Sequence, residues 1–506
     1  MLLLGIDLGT SSVKVTVIDA ETQKICASAS WPESEATILA PEPGWAEQSP
    51  DQWWEYVKTA IQKCNAKGNY DPKDISAIGI AYQMHGLVLT NSSNNSIRNS
   101  IIWCDSRAVE TGEAAFNALG HEYCLQHLLN SPGNFTAAKL AWVKNNEPFV
   151  YNRVHQFMLP GDFIATKFSG NSTTTISALS EGIFWDFKDK KVSDALMKYY
   201  DFNSSLIPEI RPVFSEHGYL LKEVAELLGL KAGIPITYKA GDQPNNALAL
   251  NVLEPGEVAA TAGTSGVIYA VTDTLDYDPQ SRVNSFAHVT YTGLLNRIGV
   301  LLCINGAGIF NRWIKQLAGD SVSYEKLNQL AASVPAGSDG LLALSFGNGA
   351  ERVLNNQVPG AQFVNLDLNK HHLAHMARAV QESVAFAFRY GLDIMRENGM
   401  EVSLVRAGKA NLFLSDVFAQ SFANINQLDV EFYEGDGSYG AAIGAGIGAG
   451  IYASAQDAGS KRRPLQIIRP QTSELLEEQY QRWKSVLKNS LHKYGYEQNL
   501  PVTVTN

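Results

Sequence analysis

The chain of 506 residues is long enough for roughly two to four domains. Its composition, 45% hydrophobic and 18% charged, is that of a globular protein. A formal net charge of −11 without any long basic run argues against nucleic acid or an anionic membrane as a partner. A phosphate-bearing ligand would have to be held by local donors and metal, against the overall field. The five cysteines (Cys26, Cys64, Cys104, Cys124, Cys303) form no CxxC pair. That fits a reduced cytoplasm better than a disulfide framework or a zinc site. Met1 to Leu4 is too short a lead before Asp7 for a signal peptide, and the Gly/Ala-rich run from Tyr439 to Tyr452 is shorter than a membrane span. A cytoplasmic location is expected.

Leu2 to Asp19, LLLGIDLGTSSVKVTVID, predicts two short strands joined by a small hydroxyl-bearing turn at Gly9-Thr10-Ser11-Ser12. Gly9 lets backbone N–H groups approach an anion, and Thr10, Ser11 and Ser12 add donors. Lys14 supplies a positive charge, and Asp7 is placed to hold a divalent cation. A polar hairpin turn with no ligand is the plainer reading of so short a string. The pattern recurs, however. Residues 258 to 273 read VAATAGTSGVIYAVTD, and Gly9, Thr10, Ser11, Val13, Val17 and Asp19 fall on Gly263, Thr264, Ser265, Val267, Val271 and Asp273. Two related domains could face each other across one nucleotide. Asp7 becomes Thr261 and Lys14 becomes Ile268, so metal and charge chemistry should lean on the first copy.

Further along, Ile25 to Trp31 adds a strand, and Ser49-Pro50-Asp51-Gln52 opens a helix that runs toward Cys64. Ile75 to Ala81 is a buried strand delivering Gln83-Met84-His85-Gly86, and Ile101 to Trp103 another delivering Asp105 and Arg107. Strands alternating with helices predict an α/β layer with ligands at strand ends. Helical pieces follow at 137–145, 193–200 and 221–228. A strand over 234–240 leads to Gly241-Asp242-Gln243-Pro244, and the domain boundary is placed in the stretch after it, giving domains of 1–245 and 246–506. The second domain carries a helix from His371 to about Glu397, strands near 402–407 and 428–433, and a final amphipathic helix over 473–494.

Asp242 follows a strand at the inferred junction and could take a proton from an attacking hydroxyl; alone, Asp before Pro and Asn is also a helix cap. His85 could hydrogen-bond a polyol while Met84 packs on its carbons, against the plain reading of a structural histidine. The plain reading of Asp105 with Arg107 is a surface ion pair. His371, His372 and His375 lack the HExxH glutamate and are read as solvated or capping. The Gly/Ala run 437–450 is either a close-packing helix or a flexible segment, and Gly408-Lys409 is not a P-loop.

These residues together resemble the FGGY carbohydrate kinases over nearly the whole chain. GIDLGTSSVK resembles that family's first phosphate turn, GWAEQSPDQWW (44–54) its early helix entry, and GTSG (263–266) its second phosphate turn. FTAAKLAWV (135–143), GNGAER (347–352) and LAHMARAVQESVAFAF (373–388) are similar to further landmarks, and QMHG (83–86) and WCDSR to the branch that acts on ketopentoses. The resemblance implies an α/β, two-lobed actin-like (ribonuclease-H-like) fold with ATP and sugar in the interdomain cleft. It implies Asp242 as general base; Met84, His85, Asp242 and Gln243 as sugar contacts; and Asp7 as the Mg²⁺ residue. Nucleotide contacts are carried onto Thr10, Lys14, Gly263, Thr264, Gly408 and Asn411. The expected reaction is ATP-dependent phosphorylation of a ketopentose, D-xylulose before ribulose, glycerol or gluconate, with an ATP-binding sensor as the rival from another class. Monomer and homodimer are both compatible. Three positions depart from the pattern: Gln243 where a ketopentose kinase has Asn, Arg406-Ala407-Gly408-Lys409-Ala410 at the adenosine motif, and Asn365 where a glycine is expected.

Overall fold

In the computed structural model, which describes residues 1–319 and 321–498, the opening apolar runs become β1 (Leu2–Leu8) and β2 (Val13–Asp19), antiparallel from Leu2↔Asp19 to Leu8↔Val13. β3 (Ile25–Trp31) extends the hairpin. Helix α1 (Pro50–Lys67) starts where Ser49 Oγ accepts the Gln52 amide at 3.3 Å. It carries the chain over to β4 (Ile75–Tyr82), which therefore lies parallel to β1. Helices α2 (Thr136–Asn146) and α3 (Ile176–Glu181) precede β5 (Phe214–Tyr219) and β6 (Pro235–Gly241). The first sheet runs β5-β6-β4-β1-β2-β3. Helix α4 (Asp242–Ala249) leaves the end of β6.

The second half repeats this plan. β7 (Glu257–Ala262) and β8 (Gly266–Thr272) form the second hairpin, followed by β9 (Asn284–Ala287), β10 (Ile298–Ile304) and helix α5 (Gly308–Leu317). Helix α6 (Leu373–Glu397) leads to β11 (Leu404–Gly408) and β12 (Val430–Tyr433). Helix α7 (Gly437–Gly448), β13 (Gln466–Ile468) and α8 (Glu474–Gln498) follow. The sheet order is β9-β10-β8-β7-β11-β12-β13. Both sheets have an antiparallel triple on one side of the first strand and two parallel neighbours on the other. The mixed α/β two-domain architecture follows from this duplication.

Two features join the halves. Helix α7, the Gly/Ala run, packs tightly on the first sheet although it follows the last parallel strand of the second. A Cβ on Gly5 would stand 1.9 Å from Ser438 O, and one on Gly79 2.0 Å from Ala441 O. Small residues on both surfaces permit that approach, so the run is a packing helix and not a flexible segment. Edge strand β9, which has no counterpart in the first sheet, receives α3: Ser177 Oγ donates to Ala287 O and the Ala287 amide to Ser180 Oγ, each at 2.9 Å.

Local expectations change in two places. The strand expected over 101–103 shortens to Ser100–Ile101, because the chain turns at Trp103. Helix α6 begins at Leu373 with His372 as its cap, accepting the Ala374 amide, while the His372 amide donates to His375 Nδ1. Among the described residues no helix is long and apolar enough to cross a membrane.

Candidate active site

The strand ends and helix starts at the centre of the first sheet gather three carboxylates. Asp7 lies on β1 opposite Lys14, Asp242 opens α4, and Asp436 caps α7, its Oδ1 accepting from the Tyr439 amide (3.1 Å) and from Ser438 Oγ (2.7 Å). The other Asp436 oxygen pairs with Lys14 Nζ. Gly437 faces Asp7 so closely that a Cβ there would be 2.2 Å from Asp7 Oδ2. Asn245 Nδ2 donates to Gly437 O at 2.8 Å and ties α4 to the same helix start. Burial, and then the Asp436 charge, raise the Asp7 carboxyl to about 6. Burial, and then the Asp7 charge, raise Asp242 to about 7. Oxygen donors crowded in this way, with Lys14 as their partner cation, form a set suited to a hard divalent cation. Asp242 is not an N-cap; that position belongs to Gly241.

The end of β4 builds the neighbouring wall. His85 adopts a left-handed backbone (φ 63°) and sets its Nδ1 2.9 Å from Glu181 O. A carbonyl can only accept, so Nδ1 carries the proton and Nε2 is left as an acceptor. Burial, and then the Lys139 charge, lower His85 to about 3, which keeps the ring neutral. Phe135 and Phe286 flank it with ring centroids at 4.8 and 5.2 Å. The His85 carbonyl accepts from Lys139 Nζ at 2.9 Å, and Ile102 O accepts from the same ammonium at 3.0 Å. Met84 is 5% exposed and presses on the corner that carries Asp242. A Cβ on Gly241 would lie 2.7 Å from Met84 Cγ and 2.6 Å from Glu181 Oε2. Gln243, half-buried, follows Asp242 in the first turn of α4. Thus Met84, His85, Asp242 and Gln243 occupy adjoining elements.

The two small turns are built by the same logic, their carbonyls paired and several of their amides left free. In the first, the carbonyls are used internally: the Gly9 amide donates to Ser12 O (3.1 Å), the Ala36 amide to Ser11 O (2.7 Å) and Gln48 Nε2 to Thr10 O (2.8 Å). Thr10 Oγ1 donates to Gln83 Oε1 at 3.1 Å and accepts from Trp103 Nε1 at 2.9 Å. In the second, Gly263 O and Thr264 O accept from the Gly308 and Ile309 amides at the start of α5. Among the described residues the amides of Thr10, Ser11, Thr264 and Ser265 have no protein acceptor, which leaves them for an anion. A cavity of about 660 Å³ opens beside the second turn, lined among others by Gly263, Thr264, Asn311, Asn328 and Asn411. Gly408 ends β11 with open space over its Cα but is not part of that lining.

One plain reading fails. Asp105 and Arg107 are not a surface pair: Asp105 is 0% exposed, and its carboxylate takes the Arg107 guanidinium at 2.7–3.0 Å and the Ala46 amide at 2.5 Å. Arg107 lies 3.8 Å from the Trp45 ring. The pair anchors the stretch around Trp45 to the end of the shortened strand. Sequence reasoning missed Asp436, Glu181 and the two phenylalanines. Asp436 had a signal, since a strand running into Asp-Gly-Ser repeats the strand-to-Asp logic of β1. Glu181 had none. It is buried beside the Tyr82 hydroxyl, and burial with the charges of Asp242 and Asp162 raises it well above the ordinary carboxyl range.

Comparison with known proteins agrees with this architecture. The N-terminal domain of the FGGY family of carbohydrate kinases matches residues 2–249 and its C-terminal domain residues 258–449. The chain is 28% identical to a xylulose kinase of Escherichia coli, over 87% of this chain and 88% of that protein. The crystal structure of a xylulose kinase from Rhodospirillum rubrum superposes with a TM-score of 0.86 at 26% identity, covering 98% of this chain and 99% of the other. A gluconate kinase from Lactobacillus acidophilus superposes equally well, TM-score 0.86, at 21% identity with the same coverage, so overall shape does not separate these acceptors. The duplicated sheets, the paired turns and the matches across both halves establish that the chain belongs to the FGGY family of carbohydrate kinases.

Proposed function

We propose that this carbohydrate kinase transfers the terminal phosphoryl group of ATP to a ketopentose, converting D-xylulose to D-xylulose 5-phosphate. The observation that carries the reading is the packing of Met84 against the corner from which Asp242 emerges, with the neutral His85 beside it. One side of Asp242 thus faces a wall suited to a polyol, the other the Asp7 carboxylate and the phosphate-sized turns. The relatives named xylulose kinases support the choice of sugar.

In this reading Asp242 Oδ accepts the proton of the attacking sugar hydroxyl as the new O–P bond forms and ADP leaves. A general base raised to about 7 is matched to neutral pH. His85 Nε2 accepts a hydrogen bond from another sugar hydroxyl, and Met84 covers the carbon skeleton. The amides of Thr10, Ser11, Thr264 and Ser265 hold phosphate oxygens, and Asn411 borders the nucleotide cavity beside Gly263. Asp7, with Asp436 nearby, would hold Mg²⁺, whose charge offsets that of the phosphates. Lys14, fixed by Asp436, aligns the first turn.

The test is ADP release with D-xylulose, D-ribulose, glycerol and gluconate for wild type and Asp242→Asn. Turnover highest with D-xylulose, falling by about 10²–10⁴-fold in the variant, is expected for loss of a general base. A better acceptor than D-xylulose would keep the mechanism and replace the sugar. Undiminished turnover in Asp242→Asn would remove Asp242 from the reaction.

A further inference from the structure

The sugar wall described above comes almost wholly from the first half of the chain, yet one charged side chain of the second half reaches it. Arg352 sits in the short turn Glu351–Leu354 of the GNGAER stretch, anchored by the buried Val353 and Leu354. Its guanidinium extends across to the segment between Ser131 and Phe135. Nη1 is 3.4 Å from Ser131 Oγ, and Cζ is 5.4 Å from the Phe135 ring, the ring that also packs on His85. Nη2 fills the place of an absent side chain: a Cβ on Gly133 would stand 2.6 Å from it.

The guanidinium is poorly satisfied by protein. It offers five N–H donors, and the long contact to Ser131 is its one hydrogen bond among the described residues. No carboxylate of the described residues lies within ion-pair distance of it, whereas Arg107, Arg282, Arg378 and Arg406 each have one. Arg352 is only half-buried, so its unused donors can reach an oxygen-bearing ligand. His85 packs on the same Phe135 ring and feels the Arg352 charge, so an oxygen-rich ligand held there could engage both. The two groups are complementary: His85 Nε2 can only accept from a hydroxyl, while Arg352 can only donate to oxygen lone pairs.

We infer that Arg352 is a specificity-determining residue of the second domain that donates to the hydroxyl and carbonyl oxygens of the bound sugar across the interdomain boundary. This rests on the sugar-kinase reading above and extends it. Because the donor belongs to one domain and His85 to the other, a sugar that spans both holds the domains together, and its binding favours the closed cleft. An acceptor without an oxygen at that place loses this contact.

Steady-state kinetics with D-xylulose and ATP for Arg352→Met, Arg352→Lys and Ser131→Ala, together with thermal midpoints, tests the inference. Arg352→Met is expected to raise the sugar KM by about tenfold to a hundredfold, the range for a lost hydrogen bond to a charged group. The ATP KM and the thermal midpoint should stay near wild type. Arg352→Lys should recover part of the loss, and Ser131→Ala, which keeps the guanidinium, should leave the sugar KM within about twofold. The inference is overturned if Arg352→Met leaves the sugar KM unchanged. It is also overturned if Ser131→Ala matches Arg352→Met with a lowered midpoint, for the arginine would then be only a latch between domains. Should Arg352→Met fail to fold, Arg352→Lys against Ser131→Ala decides. Failure of wild type to turn over any acceptor would sink the functional reading itself, a result distinct from either.

Discussion

The two hairpins began as near-copies in sequence and differ where it matters. In the first, Leu8 pairs with Val13 and four residues form the turn. In the second, Ala262 pairs with Gly266, so the turn keeps only Gly263, Thr264 and Ser265 and the register slips by one. The cause is packing behind the turn. A Cβ on Gly266 would lie 2.8 Å from the Phe388 ring of α6, and glycine lets the strand run one residue further into that contact. The first turn is bound by polar side chains from Gln48, Gln83 and Trp103. The first hairpin also keeps Asp7 and Lys14, while the second has Thr261 and Ile268. Both present free amides, but one adds charge and the other a cavity. On the function proposed above, the duplication divides the labour: phosphoryl and metal chemistry on one side, nucleotide accommodation on the other.

The sharpest way to break that division is to remove the charge from one hairpin and the hydroxyl from its counterpart. Asp7→Asn is expected to weaken Mg²⁺ dependence by at least the roughly 10- to 100-fold typical of disturbed metal-site carboxylates. Thr261→Val should change neither Mg²⁺ dependence nor kcat by more than about twofold. Titration of activity with Mg²⁺ reads both. Equal sensitivity of the two variants would show that the hairpins share the metal and that the asymmetry is only sequence drift.

A smaller effect separates the two turn glycines. A Cβ on Gly9 would come within 3.0 Å of Ser12 O, the acceptor of Gly9's own amide, whereas on Gly263 it would meet Ser265 O and Asn411 Nδ2 at 3.6 and 3.7 Å. Gly9→Ala should therefore cost stability, about 1 kcal/mol or about 1–2 °C in the thermal midpoint. Gly263→Ala should fold normally but place a methyl at the rim of the nucleotide cavity, raising the ATP KM several-fold, on the order of 1 kcal/mol. A destabilised Gly263→Ala with normal ATP KM would reverse this assignment.

Much of this plan was legible in the chain because the deciding signals are local. β1 and its turn, β6 running into Asp242, and the helix start at Ser49 are each set by neighbours within a few residues. The repeat then supplied the long-range pairing that local patterns lack. What stayed hidden depends on residues far apart in sequence. Nothing around Glu181 announces that its carboxyl will meet Gly241, and nothing in GNGAER says that Arg352 will replace a side chain at Gly133. The strand at 101–103 was overestimated because apolar Ile101, Ile102 and Trp103 suggest extension, while the buried Asp105–Arg107 pair bends the chain at Trp103. Asn365, expected to be glycine, holds the left-handed backbone (φ 62°) that a glycine would allow.

The charged character of the first half extends to Lys139, whose contribution to stability depends on pH. Burial lowers its ammonium to about 7, with Asp105 opposing the shift; in the unfolded chain it titrates near 10.4. Between those values the unfolded chain holds a proton that the native chain has released, so stability rises with pH across this window. Lys139→Met removes that dependence and also strips the His85 and Ile102 carbonyls of their donor. The second loss is independent of pH and costs about 1–3 kcal/mol. Urea unfolding at pH 7 and pH 9 should therefore show the gap, wild-type stability minus that of the variant, moving in favour of the wild type as the pH rises. The gap should shift by at most about 1.4 kcal/mol per pH unit. The sugar KM should rise while the ATP KM holds, because the loop that Lys139 supports carries His85 and the second hairpin has no part in it. A gap that is the same at both pH values would mean that Asp105 keeps the lysine charged in the native fold. The ammonium would then act as a permanent cation beneath the sugar wall.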